Sequence, residues 1–482
     1  MKNPNDIIVG LDIGTTKIAC FIGRRGENGK VAILGYGKTP SKGVERGVVK
    51  NIKSTAESIT KAVEEASEKA GITVSEVYVG IAGQHIKSFE NMGSIMIPND
   101  HKLIEQEDVE RLIEEQHNIM LAAGEEIIHV FPQNYVVDGE ELSPEDEPVG
   151  VAGKQLKSNF HIVTGNTINL RNIHDSVERA GLTIKGVVLE PVASALAVLD
   201  SADKDAGVAL VDIGGGTTDI AIFHEGVIRH TSVLALAGNA ITSDIKEGCK
   251  ILKNQAETLK TRFGSCLPQN VSDNDIISIP GIRNQPAREI SMRTLAGIIK
   301  SRTEIIIEQV DYEIKKSKLD KHLIAGIVLT GGGAQLRHIK DLTEFMTGID
   351  TRIGLPDEHL EKNVDSEIIN TMYATGIGLV LYGLDKEETE RRLHTETTHD
   401  TDADTVSTPF EMPDPFASST PDPQVFADIE KVEEDDDLID DTPKTTQKPK
   451  KRRSFGKNFT SAIENYFNRV FNDGSIKNEG ED

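Results

Sequence analysis

The chain has 482 residues, of which 78 are acidic and 53 are basic, and its formal net charge is −25. This acidic excess argues against a protein that binds nucleic acid, so we expect no nucleic-acid partner. Three cysteines with neither metal-ligand spacing nor a disulfide framework suit a reducing cytosol. We expect neither a transmembrane helix nor a signal peptide, because apolar runs are short and MKNPND leads directly into the first predicted strand.

The first predicted feature is a hairpin of two apolar strands, from Ile7 to Ile22, around a polar turn. A glycine turn exposes successive backbone N–H groups, which form a concavity for anions such as phosphate. A carboxylate beside such a turn could hold a divalent cation through water. The residues of this turn that suit such a site are Asp12, Gly14, Thr15, Thr16 and Lys17.

The stretch after the hairpin begins regularly and then changes character. Apolar residues at helical spacing predict a helix from Ile52 to Ala70, ended by Gly71, and Val77 to Ala82 is predicted as a strand. From about Gln84 to Thr164 the chain combines a predicted helix, Gln106 to Ala123, with the strand-like EEIIHVFPQNYVVDG and a charged loop. We therefore predict a small inserted α+β subdomain.

The first domain then resumes with a helix (Asn169 to Ala180), a strand (Gly186 to Glu190) and a second helix (Val192 to Leu199). Glu190 ends the strand just before Pro191, where a side chain would project into a cleft and could orient an attacking water. The same position also suits an ordinary acidic residue that the helix dipole favours.

A second glycine hairpin, VALVDIGGGTTDIAIF, spans Val208 to Phe223. Alone, it is also compatible with a tight turn between two core strands. However, its Asp212 and Gly214 match Asp12 and Gly14 of the first hairpin. Two such turns with matching carboxylates predict two similar lobes that face one cleft. The candidate phosphate-binding residues here are Gly214, Gly215, Gly216 and Thr217.

The next stretch carries a pair of opposite charges, Glu257 and Lys260, on one face of a predicted helix. This pair could grip a ribose or form an ordinary surface ion pair. The other elements predicted here are a strand (Val227 to Leu236), a helix from Ala240, a loop (Leu267 to Gln285) and a long helix (Ser291 to Ser317).

A third glycine turn, Gly331, Gly332 and Gly333, follows a predicted buried strand from Ala325 to Thr330. Such a turn would let a flat base or a ribose lie against the backbone. A helix from Gln335 to Met346 is predicted after it. The last helix of this region, Thr371 to Leu384, is rich in small residues and should therefore cross its neighbours closely.

The C-terminal region has two parts of opposite charge. Residues Asp385 to Gln447 carry a balance of roughly −15 without apolar periodicity, which predicts a disordered acidic linker. A basic cluster and an aromatic stripe at helical spacing follow, which is typical of an interfacial membrane helix. A helix that docks on a partner or on its own domain is the alternative. The predicted membrane contacts are Lys450, Lys451, Arg452, Arg453, Phe455, Phe459, Ile463, Tyr466, Phe467, Val470 and Phe471.

Together these motifs resemble the FtsA family of bacterial cell-division proteins, within the actin, sugar-kinase and Hsp70 ATPase superfamily. The resemblance is carried by GLDIGTTKIA, GYGKTPSKGVERGVV, VYVGIAGQHI, VDIGGGTTDIAIF, RHTSVLALAGNAITSDI and AGIVLTGGGAQL. It covers roughly Ile7 to Leu384 and resumes at the C-terminal end.

The resemblance implies an α/β, actin-like two-lobed ATPase fold with an α+β subdomain inserted in the first lobe, a disordered linker and a C-terminal amphipathic helix. The expected domains are a first-lobe core (1–83 and 165–207), the insertion (84–164), a second-lobe core (208–236 and 320–384), an outer partner-binding subdomain (237–319), the linker (385–447) and the membrane-targeting tail (448–482).

For the site, the resemblance implies a bound ATP and Mg²⁺, with Asp12 and Asp212 holding the metal through water. The two hairpin turns would bind the phosphates, and Glu257, Lys260 and the third glycine turn would bind the adenosine. Glu190 matches the carboxylate or amide that positions water in related filament proteins. Some FtsA relatives lack a carboxylate there, so we expect at most weak ATPase activity.

For function, the resemblance implies a filament-forming protein on the inner face of the cytoplasmic membrane at the division septum. It would tether the ring of the tubulin-like protein FtsZ and help to recruit later division proteins. The lobe carrying Ile241 to Ser317 would bind the FtsZ C-terminal peptide, with Arg302 as our candidate contact.

A metabolic kinase of the same fold is the alternative function, but a kinase has no use for a basic amphipathic tail on a tether. A chaperone would need a β-rich peptide-binding domain, for which the linker leaves no room.

Overall fold

A computed structural model of the chain describes residues 7–26, 28–98, 103–143, 146–272, 274–280, 286–362 and 364–401. The strands are β1 (Ile7–Ile13), β2 (Lys17–Arg25), β3 (Val31–Pro40), β4 (Val44–Glu45), β5 (Val48–Val49), β6 (Glu76–Ile81), β7 (Lys87–Met96), β8 (Glu125–Val137), β9 (Glu140–Glu141), β10 (Gln155–Asn166), β11 (Thr183–Leu189), β12 (Val208–Ile213), β13 (Thr218–His224), β14 (Val227–Leu234), β15 (Ile276–Ile279), β16 (Arg288–Ser291), β17 (Ile327–Thr330) and β18 (Thr351–Ile353). The helices are α1 (Ile52–Ala70), α2 (Gln106–His117), α3 (Thr167–Arg179), α4 (Glu190–Val198), α5 (Ser201–Ala206), α6 (Gly238–Cys249), α7 (Lys253–Phe263), α8 (Met292–Lys316), α9 (Ile339–Thr347) and α10 (Ala374–Thr401).

Each lobe is built on a five-stranded sheet, and the two sheets have the same topology. The strand orders are β3-β2-β1-β6-β11 in the first lobe and β14-β13-β12-β17-β18 in the second. In each, the first strand pairs antiparallel with the next strand along the chain and parallel with a later one. The two glycine hairpins therefore occupy equivalent central positions, as their sequence similarity predicted.

The inserted subdomain has a four-stranded sheet of its own, ordered β7-β10-β8-β9, with α2 packed against it. Its core includes Leu112, Phe160 and Ile162, all buried. Helix α2 ends at His117, so the predicted end at Ala123 was wrong. Beyond Asn118 the apolar residues do not continue a helical face: Ile119 packs against this core, but Met120 is 99 % exposed.

Two helices, α4 and α10, run through the largest apolar core, to which both lobes contribute. They cross closely, because a Cβ on Gly378 of α10 would collide with the backbone of Ala193 in α4. Similarly, a Cβ on Gly376 would collide with the ring of Phe21. The close crossing predicted from the small residues of this helix is therefore confirmed.

Helix α10 continues to Thr401, so the start of the acidic linker predicted at Asp385 was wrong. The acidic residues just beyond Leu384 are not simply solvated. Asp385 pairs with Arg25 at the end of β2, and Glu387 pairs with Lys185 of β11. These ion pairs hold the helix extension against the first lobe.

The outer part of the second lobe contains α6, α7, α8 and a small hairpin of β15 and β16. The predicted loop from Leu267 to Gln285 was therefore partly wrong, because it contains β15. Helix α9 begins at Ile339 rather than at Gln335, since a 3₁₀ turn (Gly332–Gln335) and the left-handed His338 (φ 65°) come first.

Residues 402–482 lie outside the described part of the chain, together with the basic cluster and the aromatic stripe predicted there. Within the described residues, every helix is too short or too polar to cross a membrane.

Candidate functional site

The turns of the two hairpins lie directly against each other. A Cβ added to Gly215 would collide with Thr16, and a Cβ added to Gly216 would collide with Thr15. Both glycines are needed because a side chain would separate the turns. The structure thus brings the two predicted phosphate loops together at one place, with their backbones close enough to contact a single ligand.

The first hairpin carries a buried ion pair at its turn. Lys17 Nζ donates to Asp12 Oδ2 at 2.5 Å, and Asp12 is only 4 % exposed. Burial acts to lower the pKa of Lys17, but the charge and hydrogen bond of Asp12, with Asp212 and Glu190, raise it overall. Lys17 therefore stays cationic beside the turn, as a phosphate ligand must.

In the second hairpin, Asp212 connects the turn to both crossing helices. Its Oδ2 accepts hydrogen bonds from Ser194 of α4 at 2.7 Å and from Thr375 of α10 at 3.3 Å. Its Oδ1 faces Gly331, where an added Cβ would collide with it. Gly331 has a φ of 82°, so both its backbone conformation and its surroundings require glycine.

Asp219 lies opposite Asp212 in the register of β12 and β13, and it is 3 % exposed. Burial and the nearby Asp212 raise the pKa of Asp219 well above its usual value. Its Oδ1 is buried and has no hydrogen-bond partner among the described residues. The corresponding position of the first hairpin is Ala19, opposite Asp12, so the second hairpin has one more carboxylate.

Glu190 is the first residue of α4 and not, as predicted, the last of the strand. Its side chain lies against Gly80 of β6. Burial raises the pKa of Glu190 well above its usual value, and Asp12, Asp219 and Asp212 raise it further. The four carboxylates therefore share one electrostatic environment in which the negative charges disfavour one another.

The residues predicted for the adenosine lie next to the second turn. Lys260 Nζ donates to the carbonyl oxygen of Gly238 at 3.0 Å and to Thr242 Oγ1 at 2.9 Å, and it pairs with Glu257 at 2.9 Å. The N–H of Gly238 in turn donates to the carbonyl oxygen of Gly214 at 3.1 Å. The Glu257–Lys260 pair is therefore connected to the second hairpin through Gly238. It is not an ordinary ion pair on a solvated face of α7.

The third glycine turn also reaches the second hairpin. A Cβ on Gly333 would collide with Ile213, whereas Gly332 faces open space. Thr371 closes the turn, because its Oγ1 donates to the carbonyl oxygen of Gly331 at 2.7 Å. Gly332 is therefore the residue of this turn whose backbone a ligand could approach.

These features fit a magnesium nucleotide. The touching glycine turns form a cradle that side chains would fill, and Lys17 supplies a cation. Asp219 Oδ1 is a buried acceptor without a donor, and the crowded carboxylates would be relieved by a divalent cation and its waters. Asp12 and Asp212 flank this place from the two lobes.

Sequence reasoning missed Ser194, Thr375 and Thr242, which hold Asp212 and Lys260 in place. No local pattern identifies them, because each lies on a different element from the side chain it contacts, and Thr375 is also distant in the chain. Asp219 is identifiable from the sequence as the carboxylate that leaves the second glycine turn, as Asp212 enters it.

The predicted partner residue, Arg302, lies on α8, where its Nε and Nη2 donate to the two carboxylate oxygens of Asp244 on α6, at 2.5 and 3.0 Å. Its side chain is 28 % exposed.

Comparison with known proteins agrees with this architecture. The family model "Cell division protein FtsA" matches residues 209–378, "SHS2 domain inserted in FTSA" matches 83–164, and "Hsp70 protein" matches 166–240. The cell division protein FtsA of Pseudomonas aeruginosa is 37% identical over 381 residues, which cover 79% of this chain and 90% of that protein. The chain belongs to the FtsA family of cell-division proteins.

Other members of the FtsA family are similarly related. The FtsA proteins of Escherichia coli K12 and Bacillus subtilis are 33% and 31% identical, over 78% and 79% of this chain and 90% and 84% of their own lengths. A solved PilM–PilN type IV pilus biogenesis complex matches with a TM-score of 0.56 at 15% identity, over 78% of this chain and 98% of that one. At that identity the likeness shows the fold alone.

The crowding of carboxylates predicts a pH-dependent stability. A carboxyl group whose pKa is raised by folding binds more protons in the folded state, so stability falls as pH rises above the unfolded pKa of about 4. In the absence of nucleotide and divalent cations, Asp219→Asn should therefore raise Tm near pH 8 and reduce the fall in Tm between about pH 5 and pH 8. Calorimetry measures both effects.

Asp205→Asn is the matched control for this experiment, because Asp205 is exposed. It should leave the pH profile as in the wild type. A lower Tm for Asp219→Asn near pH 8 would show that Asp219 stabilises the empty cleft and would contradict the prediction.

Proposed function

We propose that this member of the FtsA family binds MgATP in the cleft, forms filaments on the inner face of the cytoplasmic membrane at the septum, and tethers the FtsZ ring there. In this role it would also help to recruit later division proteins. The observation that supports nucleotide binding best is the contact of the two glycine turns, flanked by Asp12 and Asp212. The tethering role is supported by membership of the family and by the sequence of the tail.

The nucleotide would lie with its phosphates against both turns. Backbone N–H groups of the two turns would donate to phosphate oxygens, except that of Gly214, which donates to the carbonyl oxygen of Thr217 at 2.9 Å. Lys17 would pair with one of the phosphate oxygens. Asp12 and Asp212 would hold Mg²⁺ through its waters, and the metal would neutralise phosphate charge. Gly332, with Glu257 and Lys260 near the second turn, would border the adenosine.

Hydrolysis should be slow. Glu190 can deprotonate a water only when it is ionised, and burial beside Asp12, Asp219 and Asp212 favours its protonated form. A bound cation would lower the pKa of Glu190 again, but from a value that burial and the neighbouring carboxylates have already raised. We therefore propose an ATP-binding switch with at most weak ATPase activity. The kinase alternative predicts instead the transfer of a phosphoryl group to a small substrate.

The nucleotide site is tested by Gly215→Val, which would put a branched side chain into the contact with Thr16. Binding of a fluorescent ATP analogue should weaken by at least about tenfold, or about 1.4 kcal/mol. Gly297→Ala is the matched control, because its Cβ would meet nothing within 4 Å. Unchanged affinity in a folded Gly215→Val protein would rule out the proposed site.

For the FtsZ peptide, we propose docking on the outer subdomain with Arg302 as a contact for an acidic residue. Its bidentate pair with Asp244 means that Arg302 is held in place but partly neutralised. Arg302→Glu should abolish binding, whereas Asp244→Asn should bind at least as well as the wild type, because it frees the guanidinium. Fluorescence polarisation with the FtsZ C-terminal peptide measures both variants. Equal binding by both would exclude Arg302 as the contact.

The membrane anchor we propose is the tail from Lys448 to Asp482. Basic residues near an anionic surface contribute about 1 kcal/mol each, and inserted aromatic side chains add about 25 cal/mol per Å² of buried apolar area. One such tail binds reversibly, so polymerisation would strengthen attachment by avidity.

Deletion of residues 448–482 should abolish co-sedimentation with anionic liposomes and leave nucleotide binding intact. Phe459→Glu combined with Phe467→Glu should have nearly the same effect, because two charges would enter the apolar face. High salt should weaken only the basic contribution. If the truncated protein sediments with liposomes as well as the full chain, the tail is not the anchor and a docking helix becomes the better interpretation.

A further inference from the structure

His129 connects the inserted subdomain to the helix that begins with Glu190. It lies on β8, is 2 % exposed, and its Nε2 accepts a hydrogen bond from the backbone N–H of Leu189 at 3.0 Å. Leu189 is the N-cap residue of α4, and Glu190 is the next residue. The contact therefore fixes the backbone immediately before the candidate water-orienting carboxylate.

We propose that His129 is a positioning residue for Glu190, through which the inserted subdomain sets the place of that carboxylate in the cleft. The inference rests on the proposed nucleotide site and extends it to a residue of another subdomain. The role proposed for His129 is to hold the backbone of Leu189 and not to contact phosphate.

The chemistry of the imidazole suits this role. An N–H donor requires a lone pair on Nε2, so the ring must be neutral with its proton on Nδ1. Burial lowers the pKa of His129 to about 3, so the ring stays neutral at physiological pH. A buried N–H that loses its acceptor is strongly disfavoured, so removing the imidazole should loosen the start of α4.

The inserted subdomain is itself held from the other side, by the second lobe. His161 Nε2 and Thr231 Oγ1 lie 2.8 Å apart, and Ser88 Oγ donates to the carbonyl oxygen of Thr231 at 3.0 Å. Gln133 Nε2 donates to the carbonyl oxygen of Ile228 at 2.8 Å. Both carbonyl groups belong to β14, the edge strand of the second-lobe sheet.

A stack of rings joins these contacts to His129. The ring of Phe131 lies 5.3 Å from that of His129 and 6.3 Å from that of His161, measured between centroids. His129 is therefore supported by packed side chains and by hydrogen bonds to β14. Such support is what a group needs if it is to hold a catalytic element within a fraction of an ångström.

Three substitutions test the proposal. In His129→Leu the acceptor is lost, in His129→Asn the shorter amide does not reach Leu189, and in His129→Gln the amide oxygen can replace Nε2. The first readout is hydrogen–deuterium exchange of the peptide covering residues 187–195 in the full chain. The second is the turnover of MgATP, separated into kcat and the Kd of a fluorescent ATP analogue.

We expect His129→Leu and His129→Asn to raise exchange at residues 187–195 by about tenfold and to lower kcat similarly, with Kd changed by less than about twofold. His129→Gln should restore both readouts. Phe160→Leu, in the core of the inserted subdomain, is the control for general destabilisation and should leave residues 187–195 unchanged.

Two results would overturn the proposal. One is wild-type exchange at residues 187–195 in both His129→Leu and His129→Asn, and the other is failure of His129→Gln to restore it. If the wild-type protein binds no MgATP, the proposed nucleotide site fails instead, and the exchange data still decide whether His129 holds Leu189. If the leucine variant does not fold, the asparagine and glutamine pair makes the same comparison.

Discussion

The buried carboxylate of Asp212 connects more parts of this molecule than any other side chain of the site. It ends the first strand of the second hairpin and accepts hydrogen bonds from Ser194 and Thr375, one on each of the helices that cross between the lobes. Its other oxygen sets the close approach of Gly331. Because the hairpin, both helices and the third glycine turn meet at one carboxylate, a ligand that changes its charge or position acts on all of them.

The cleft around Asp212 holds four carboxyl groups, and the described part of the chain supplies too few donors and cations to stabilise all of them as anions. Asp12 has Lys17 as a partner, but Asp219 Oδ1 has no donor among the described residues, and the pKa values of Asp212, Asp219 and Glu190 are all raised. Such an arrangement costs stability in the empty protein, and a magnesium nucleotide would remove that cost. The repulsion among these carboxylates is thus a physical reason why the proposed ligand would stabilise the cleft.

Helix α10 joins the candidate site to the chain that follows it. This helix contacts Asp212 through Thr375 near its start, and its continuation beyond Leu384 is held to the first lobe by the pairs of Asp385 with Arg25 and Glu387 with Lys185. The chain that leads to the basic tail therefore starts from a fixed point on the first lobe. If the tail binds a membrane as we propose, its attachment would gain strength when many copies assemble side by side.

Sequence alone determined the features that local chemistry controls. The hairpins at Asp12 and Asp212 were predictable because apolar strands flank a glycine turn in both, with matching carboxylates. Helix α1 was predictable from its apolar spacing and from Gly71. The two-lobed fold followed from the repetition of the first hairpin in the second. The tail residues from Lys450 to Phe471 remain predictions, since they lie outside the described residues.

Tertiary structure decided the features that depend on distant partners. Packing and pairing with distant residues decide three features: the end of α2, the strand β15 within the predicted loop, and the extension of α10. Local propensity carries no information about those partners. The bond from Leu189 to His129 and the pairing of Arg302 with Asp244 join residues on separate elements. The raised pKa of Asp219 arises because folding buries it opposite Asp212, and only the folded chain places those charges together.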